Sequence, residues 1–519
     1  MQNKKGIVYF VGAGPGDRGL ITVKGAKILA QAEVVLYDNL INTGLLDSCS
    51  PIAEKISVGK KGGEPSLTQE EINRILLEKA QDGKCVVRLK GGDPFLFGRG
   101  GEEAQVLYHA GIPFQVIPGV PSAIAVPAYA GIPVTDRRYA SSVAFITGHE
   151  AQSKESSSLA WPETAHAADT LVFLMGMRNL SLIVEQLIYH GREPETPAAV
   201  IQRGTLGTQK VVDGTLDSIC MRVQQHALKP PGILIVGEVV RLRQELRWFE
   251  YLPLFGKRII ITRELQEQNP LSEILEQNGA EIVLLPTIAV LPPDSYQSLD
   301  EAIAQLQQFQ WVIFTSSNGV RYFMDRMLCS GKDIRALSRH LIAAIGSGTA
   351  RTLNSYYIQA DLIPEEFSAE GVVSSFTQQN ISGVRVLIPR AQKARDVLEL
   401  GLRALNNEVL AVPVYKTVIP PELHYAETFK SLHPGDCIVF TSSSTVHNFF
   451  DSVPSGVLTE LRDMIVACIG PITEGALRKR GFNAHIVPKR YDFDLLAEAI
   501  IKFYTEKQTV INNNVITIS

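Results

Sequence analysis

Long apolar runs are missing from this sequence. No segment approaches the roughly 18 unbroken apolar residues that a membrane helix needs, so no membrane partner is expected. A basic excess is missing too. Lys and Arg number 50 against 54 Asp and Glu, a net charge of −4, whereas nucleic-acid-binding domains usually carry a surplus of cations; no nucleic-acid partner is expected. Cysteine is sparse and scattered. Cys49, Cys85, Cys220, Cys329, Cys437 and Cys468 form no CxxC pair and no metal-ligand spacing. That argues against a disulfide scaffold or a cysteine metal centre and reads as reduced, mostly buried thiols. The start, MQNKKGIVYFVGAGPGD, is basic, but its apolar run is too short for a signal peptide, so a cytoplasmic location is expected. What is present is an ordinary globular composition, 45% apolar and 20% charged, in 519 residues. That length exceeds what one hydrophobic core supports, so two or more domains are expected.

The first half alternates short apolar runs with amphipathic stretches. Strands are predicted at Ile7–Val11, Glu33–Tyr37, Val86–Leu89, Ser142–Thr147, Thr170–Met175, Ala198–Gln202 and Gly232–Val236. A helix is predicted over Thr68–Gln81, where Thr68 and Glu71 stand at capping-box spacing. Strands alternating with helices imply α/β layers. Five glycine-rich or acidic turns punctuate this half: GAGPGD at Gly12–Asp17, LYDN at Leu36–Asn39, VGKKGG at Val58–Gly63, the run VVRLKGGDPFLFGRGGEE at Val86–Glu103, and PGVPSA at Pro118–Ala123. GAGPGD fails the dinucleotide template, since Asp17 stands where GxGxxG needs glycine and Pro15 removes an amide donor. At Gly91–Asp93 the glycines let a ligand approach the backbone closely. The carboxylate beside them suits a ribose hydroxyl or a cationic amino group. Arg241–Lys257, arginine-rich and then broken by proline and glycine, reads as a last helix and a linker.

The second half carries an internal duplication. RIIITR at Arg258–Arg263 matches RVLIPR at Arg385–Arg390, WVIFTSSNGVRYF at Trp311–Phe323 matches CIVFTSSSTVHNF at Cys437–Phe449, and AAIGSGTA at Ala343–Ala350 matches ACIGPITEGA at Ala467–Ala476. One α/β unit is used twice. Two near-extended stretches, Leu284–Pro292 and Val412–Pro420, fit as paired crossovers between two parallel-sheet lobes. A ligand would then sit in the cleft between the lobes.

The five turns of the first half resemble the tetrapyrrole methylases, and most closely the uroporphyrinogen-III C-methyltransferases. The motifs VIFTSSNGV, GVRVLIPR, VPVYKT and IVFTSSSTV in their duplicated layout resemble uroporphyrinogen-III synthase. The two resemblances imply an α/β fold: a two-lobed methylase domain followed by a duplicated two-lobe synthase-like domain. The expected boundaries are 1–246 for the methyltransferase, 247–256 for a linker and 257–505 for the synthase, with 506–519 as a C-terminal tail. Within the synthase, lobe one is 257–288 plus 418–505 and lobe two is 289–417.

What the methylase resemblance implies is S-adenosylmethionine as cofactor, with contacts at Pro15, Gly91, Gly92, Asp93, Leu96, Pro121, Ser122, Met175 and Gly204. It also implies a proton acceptor at Asp38 and a proton donor at Lys60, and dimers formed through this half. The sequence departs from the family at Pro121, more often threonine, and at Asp136, often histidine. Arg88, Lys90, Arg99, Arg137 and Arg138 are candidate partners for the substrate's carboxylates; solvated surface charge is the plain alternative. The synthase resemblance implies Tyr415 as a group that helps a hydroxyl leave, and substrate contacts at Thr441 and Ser442. Thr315 and Ser316 open on the same cleft, and Arg263, Arg390, Lys393 and Arg395 are candidate carboxylate partners. Ile472 replaces a hydroxyl residue of the family, and Thr473 remains. No metal is implied.

Three functional readings follow. In the first, hydroxymethylbilane is cyclised to uroporphyrinogen III with inversion of ring D, then methylated at C2 and C7 to precorrin-2, on the way to sirohaem or cobalamin. In the second, the methyltransferase is fused to a catalytically silent tetrapyrrole-binding module. In the third, the chain is a nucleotide-dependent α/β enzyme, which the failed dinucleotide template and the absence of GxxxxGK[ST] oppose.

Overall fold

A computed structural model of the chain describes residues 6–50, 52–59, 67–148, 159–262, 270–287, 289–418, 433–453 and 461–516. Two compact units result, Met1–Arg258 with Leu265–Ile282 and Ile259–Glu264 with Val283–Ser519. Among the described residues no helix is long and apolar enough to cross a membrane.

In the first unit, β1 (Ile7–Gly12), β2 (Val34–Tyr37), β3 (Glu54–Ser57), β4 (Cys85–Lys90) and β5 (Phe114–Ile117) form a parallel sheet ordered β3-β2-β4-β1-β5. The helix Gln69–Gln81 begins at the expected capping box, with the Thr68 side chain on the Glu71 amide and the Glu71 side chain on the Thr68 amide. A second sheet holds β6 (Val143–Thr147), β7 (Thr170–Leu174), β8 (Pro197–Gln202), β9 (Lys210–Thr215) and β10 (Gly232–Val236), ordered β6-β7-β10-β8-β9. It is mixed: β6 and β7 run parallel, and the other pairs are antiparallel. The strands that sequence periodicity missed, β3, β5 and β9, are all sheet edges. An edge strand buries too little of itself to need a clear apolar pattern.

The stretch expected as a linker is packed. Leu254 is fully buried and Phe249 nearly so. Phe249 lies edge-on to Tyr129 at 4.8 Å and to Phe255 at 5.4 Å, and Trp248 Nε1–H donates to the Ala128 carbonyl at 3.1 Å. Four aromatic rings in eight residues, Trp248 to Phe255, hold more apolar area than a free tether would leave in water. Residues 270–282, assigned by sequence to the synthase, belong to the first compact unit. The helix Phe493–Ile516 also runs into the stretch expected as a tail.

The second half contains β11 (Arg258–Ile261), β12 (Glu281–Leu284), β13 (Ala289–Leu291), β14 (Trp311–Phe314), β15 (Leu341–Ala344), β16 (Arg385–Ala391), β17 (Glu408–Val418), β18 (Cys437–Phe440) and β19 (Ile465–Cys468). One sheet is ordered β12-β11-β18-β19 and the other β13-β17-β16-β14-β15. Setting β13 aside, the two match slot by slot. The three sequence repeats occupy equivalent slots (β11 and β16, β18 and β14, β19 and β15), and β12, which begins at Glu281, takes the slot of β17, which begins at Glu408. The duplicated unit is therefore assembled from chain segments on either side of the inserted lobe. The expected crossovers pair antiparallel, Ala289 with Val418 and Leu291 with Lys416.

Candidate functional site

Four turns of the first unit leave the C-terminal edge of one parallel sheet, where α/β proteins bind ligands. Asp38 follows β2, Gly91–Asp93 follows β4, the Ala13–Asp17 turn follows β1 and Pro118–Gly119 follows β5. Three of them touch through glycine. Gly14 and Gly92 exchange backbone hydrogen bonds at 3.3 and 2.7 Å. A Cβ on Gly119 would stand 2.2 Å from the Gly92 carbonyl oxygen and 2.7 Å from the Gly12 Cα. Pro121 and Ser122 stack next to Gly92, at 3.8 and 3.6 Å from where its Cβ would be. Leu96 packs half-buried against the core that includes Ala123 and Val126, and Gly204 leaves no room for a side chain against Val126.

The site residues behave differently from one another. Asp93 does not offer a bare carboxylate: Oδ1 accepts from the amides of Phe95 and Leu96 at 2.8 and 3.1 Å, and Oδ2 from Gly119 at 3.0 Å. It joins two of the turns. Pro15 is half-buried on its turn. Met175 stands apart from the glycine packing, at the end of β7, 50% exposed and with φ +58°. Such a φ is uncommon for a non-glycine residue. Lys60 lies outside the described residues.

Behind the Gly12–Asp17 turn is a clasp that the sequence did not reveal. The Asp17 amide donates to Thr205 Oγ1 at 3.1 Å, and Tyr129 O–H donates to Asp17 Oδ2 at 2.6 Å. Gln209 accepts from the Thr205 amide at 3.0 Å and donates to the Tyr129 carbonyl at 3.3 Å. Burial, reinforced by Asp17, raises the Tyr129 hydroxyl pKa, so Tyr129 stays a donor. The clasp ties the first sheet's turn to the Gly204 loop of the second.

Asp38 is the surface end of a buried ionic network. Its Oδ1 accepts from Arg88 at 2.6 Å; Arg88 Nε donates to Glu103 at 3.1 Å; Lys90 donates to Glu103 at 2.9 Å. The side chains of Arg88, Lys90 and Glu103 are 2%, 4% and 0% exposed, against 31% for Asp38. Burial, and then the neighbouring Arg88, lowers the Lys90 pKa. This corrects the assignment of Arg88 and Lys90 to substrate carboxylates: both are enclosed and paired. Lying two apart on the central strand β4, they share one face and meet the helix Gly100–His109. Arg99 pairs with Glu102 at 2.7 Å and Arg138 with Asp136 at 3.1 Å, both at the surface. Arg137 is exposed.

In the second half the twin FTSS turns follow β14 and β18 and start helices. Ser316 caps Ser317–Cys329 by accepting from the Gly319 amide at 3.0 Å, and Ser442 caps Ser443–Ser452 by accepting from Thr445 at 3.2 Å. Thr315 and Thr441 precede them, half-buried. Tyr415 is 9% exposed, with its ring in the lobe-two core and its hydroxyl 3.1 Å from Ser316 Oγ. Arg390 is engaged by Asp396 at 2.8 Å and Glu399 at 3.4 Å, while Lys393 and Arg395 are exposed. Arg263 lies outside the described residues. Ile472 is exposed, and Thr473, the hydroxyl that remains beside it, is buried. Across the lobes, Ser347 donates to Asp492 and Arg351 to Asp494.

Residues 7–220 match the family of Tetrapyrrole (Corrin/Porphyrin) Methylases, and residues 269–498 match Uroporphyrinogen-III synthase HemD. The chain is 38% identical over 501 residues to the Porphyrin biosynthesis protein HemD of Ruminiclostridium josui, covering 96% of this chain and 98% of that protein. It is 44% identical over 341 residues to the Uroporphyrinogen-III C-methyltransferase of Bacillus subtilis, 66% of this chain and 70% of that one. It is 52% identical over 246 residues to an S-adenosyl-L-methionine-dependent uroporphyrinogen III methyltransferase of Methanosarcina barkeri, 47% of this chain and 96% of that one.

Proposed function

The chain belongs to the tetrapyrrole methylases in its first half and to the uroporphyrinogen-III synthases in its second, a bifunctional tetrapyrrole enzyme, and from that premise we propose its two reactions. The second half cyclises hydroxymethylbilane to uroporphyrinogen III with inversion of ring D. The first half methylates that product at C2 and C7, giving precorrin-2. The observation that carries the methyltransferase reading is the meeting of a glycine cradle with a partly exposed, arginine-held carboxylate, Asp38, at one sheet edge.

The cradle fits S-adenosylmethionine. At Gly12 and Gly119 the missing Cβ lets the turns close on one another at the sheet edge, and Leu96, Pro121 and Ser122 supply a mixed apolar and polar wall. The cofactor would be held by Pro15, Gly91, Gly92, Leu96, Pro121, Ser122, Met175 and Gly204, with Asp93 keeping the turns in register. When bound, it supplies an electrophilic methyl group. The protein's task is then alignment of two reactants, which accounts for much of such a rate enhancement. A pyrrole carbon that has gained a methyl leaves the macrocycle cationic until a proton departs, and Asp38 receives that proton. Lys60 is the proton donor in this scheme. A homodimer through the methyltransferase half belongs to the same proposal and is checked by sedimentation.

In the synthase half, loss of hydroxide from an electron-rich pyrrole is intrinsically easy, so the protein mainly folds the linear chain for the inverted closure. Helix N-termini and small hydroxyls suit a polyanion; Thr315, Ser316, Thr441 and Ser442 provide both. The Tyr415 hydroxyl, steadied by Ser316, protonates the departing hydroxyl. Arg390 and Arg263 bind carboxylates, Arg390 by exchanging its acidic partners for substrate.

The test is a product assay on the full chain given hydroxymethylbilane, with and without S-adenosylmethionine. Type III uroporphyrinogen, becoming dimethylated when the cofactor is added, is the expected result. Type I alone, with methylation intact on preformed uroporphyrinogen III, would reduce the second half to a binding module.

A further inference from the structure

Charged residues in the centre of a buried sheet need a reason. β4 lies between β2 and β1, and every residue from Val86 to Lys90 is buried. Apolar side chains at positions 88 and 90 would cost less to bury than two cations and their partner carboxylate. Stability therefore does not account for Arg88, Lys90 and Glu103.

Their geometry points elsewhere. Glu103 is pinned from three sides: Lys90 at 2.9 Å and Gln69 at 3.2 Å on Oε1, and Arg88 Nε at 3.1 Å on Oε2. Arg88 is in turn fully specified. Its Nε faces Glu103, Nη1 faces the Leu89 carbonyl at 3.4 Å, and Nη2 is shared between Glu103 Oε1 at 3.4 Å and Asp38 Oδ1 at 2.6 Å. A planar guanidinium held along one side has no freedom left to swivel. The charges also balance, since Arg88 and Lys90 face Asp38 and Glu103. Of the four charged members, Asp38 is the one that reaches solvent, 31% exposed against 4% or less for the others; on the far side Glu103 is backed by the neutral, half-buried Gln69.

We propose that Glu103 is a positioning residue for Asp38, acting through Arg88, with Lys90 as the counter-charge that lets Glu103 be buried. The inference rests on the reading of Asp38 as proton acceptor. Without Glu103, Arg88 keeps its charge but loses its orientation, and the Asp38 carboxylate loses the direction in which it meets the macrocycle.

A double-mutant cycle on the full chain tests this, using uroporphyrinogen III and S-adenosylmethionine. Glu103→Gln is expected to lower the methylation kcat about ten- to hundredfold, with KM for either substrate changed less than about twofold. In an Asp38→Asn background the same substitution is expected to change kcat by less than about twofold, because its effect passes through Asp38. Equal losses in both backgrounds, or no loss in either, would overturn the proposal. An Asp38→Asn variant with full kcat would overturn the proton-acceptor reading itself, and this inference with it. Should Glu103→Gln fail to fold, the charge-balanced Glu103→Gln/Lys90→Met variant carries the same comparison, judged by the same two outcomes.

Discussion

Gly119 shows how narrow the tolerance is at a single residue of the cradle. A methyl group there would meet the Gly92 carbonyl oxygen at 2.2 Å and the Gly12 Cα at 2.7 Å, backbone atoms that cannot turn aside. Gly119→Ala is expected to destabilise the protein by about 1–3 kcal/mol and to abolish binding of S-adenosylhomocysteine, read by a thermal melt and by calorimetric titration. Gly101, at the start of the helix Gly100–His109, has nothing within 4 Å of the equivalent position. Gly101→Ala serves as the matched control, expected to leave both measurements unchanged. Sequence alone could mark GAGPGD, GGD and PGV as places of close approach. It could not say that the three approach one another. Glu103 was equally hidden: it looks like the second acid of an exposed GEE helix start, and only its place on the helix's inward face makes it the partner of β4.

Capping and clamping act at the scale of the element. Ser316→Ala and Ser442→Ala remove the same N-cap from the two repeats, and each is expected to cost about 1 kcal/mol in a denaturation series. They should differ in activity. Only Ser316 also touches the Tyr415 hydroxyl, at 3.1 Å, so Ser316→Ala is expected to slow formation of type III product more than Ser442→Ala does. A clamp of another kind joins the starts of β6 and β7. Asp169 Oδ2 accepts from the Ser142 hydroxyl at 2.9 Å and from the Ser141 and Ser142 amides at 2.8 and 3.0 Å. The Ser142 hydroxyl first, and then the two amides, hold the Asp169 pKa below its ordinary 3.8. The folded state therefore binds that proton less readily than the unfolded chain. The clamp's stabilisation is complete above the ordinary value and fades as pH falls through the lowered one. Melts of Asp169→Asn and the parent chain between pH 2 and 7 should differ at neutral pH and converge in acid. The capping box at Thr68 was legible because both partners lie within one turn; the Asp169 clamp reaches across 27 residues and was not.

For the whole molecule, the duplicated half explains how one chain builds two like lobes. The repeats fill equivalent slots in two sheets, and the antiparallel pair β13 and β17 carries the chain across and back. The two activities are expected to separate cleanly. Asp38→Asn should block methylation while type III formation continues at its original rate, and Tyr415→Phe should slow cyclisation while methylation of preformed uroporphyrinogen III is unaffected. Product analysis of both variants checks this; any cross-effect greater than about twofold would show that the two sets of residues are coupled.

Composition, periodicity and repetition were enough to determine the α/β class, the two-part organisation, the duplication and the positions of the glycine-rich turns, because each is written in residues close together in the chain. The pairing of charges and hydroxyls was decided only by the tertiary structure. Asp38 meets Arg88 across 50 residues, Ser316 meets Tyr415 across 99, and Asp17 meets Thr205 across 188. No local pattern encodes such meetings. They arise when helices and sheets pack, and burial then decides which charges, such as Arg88 and Glu103, must find a partner.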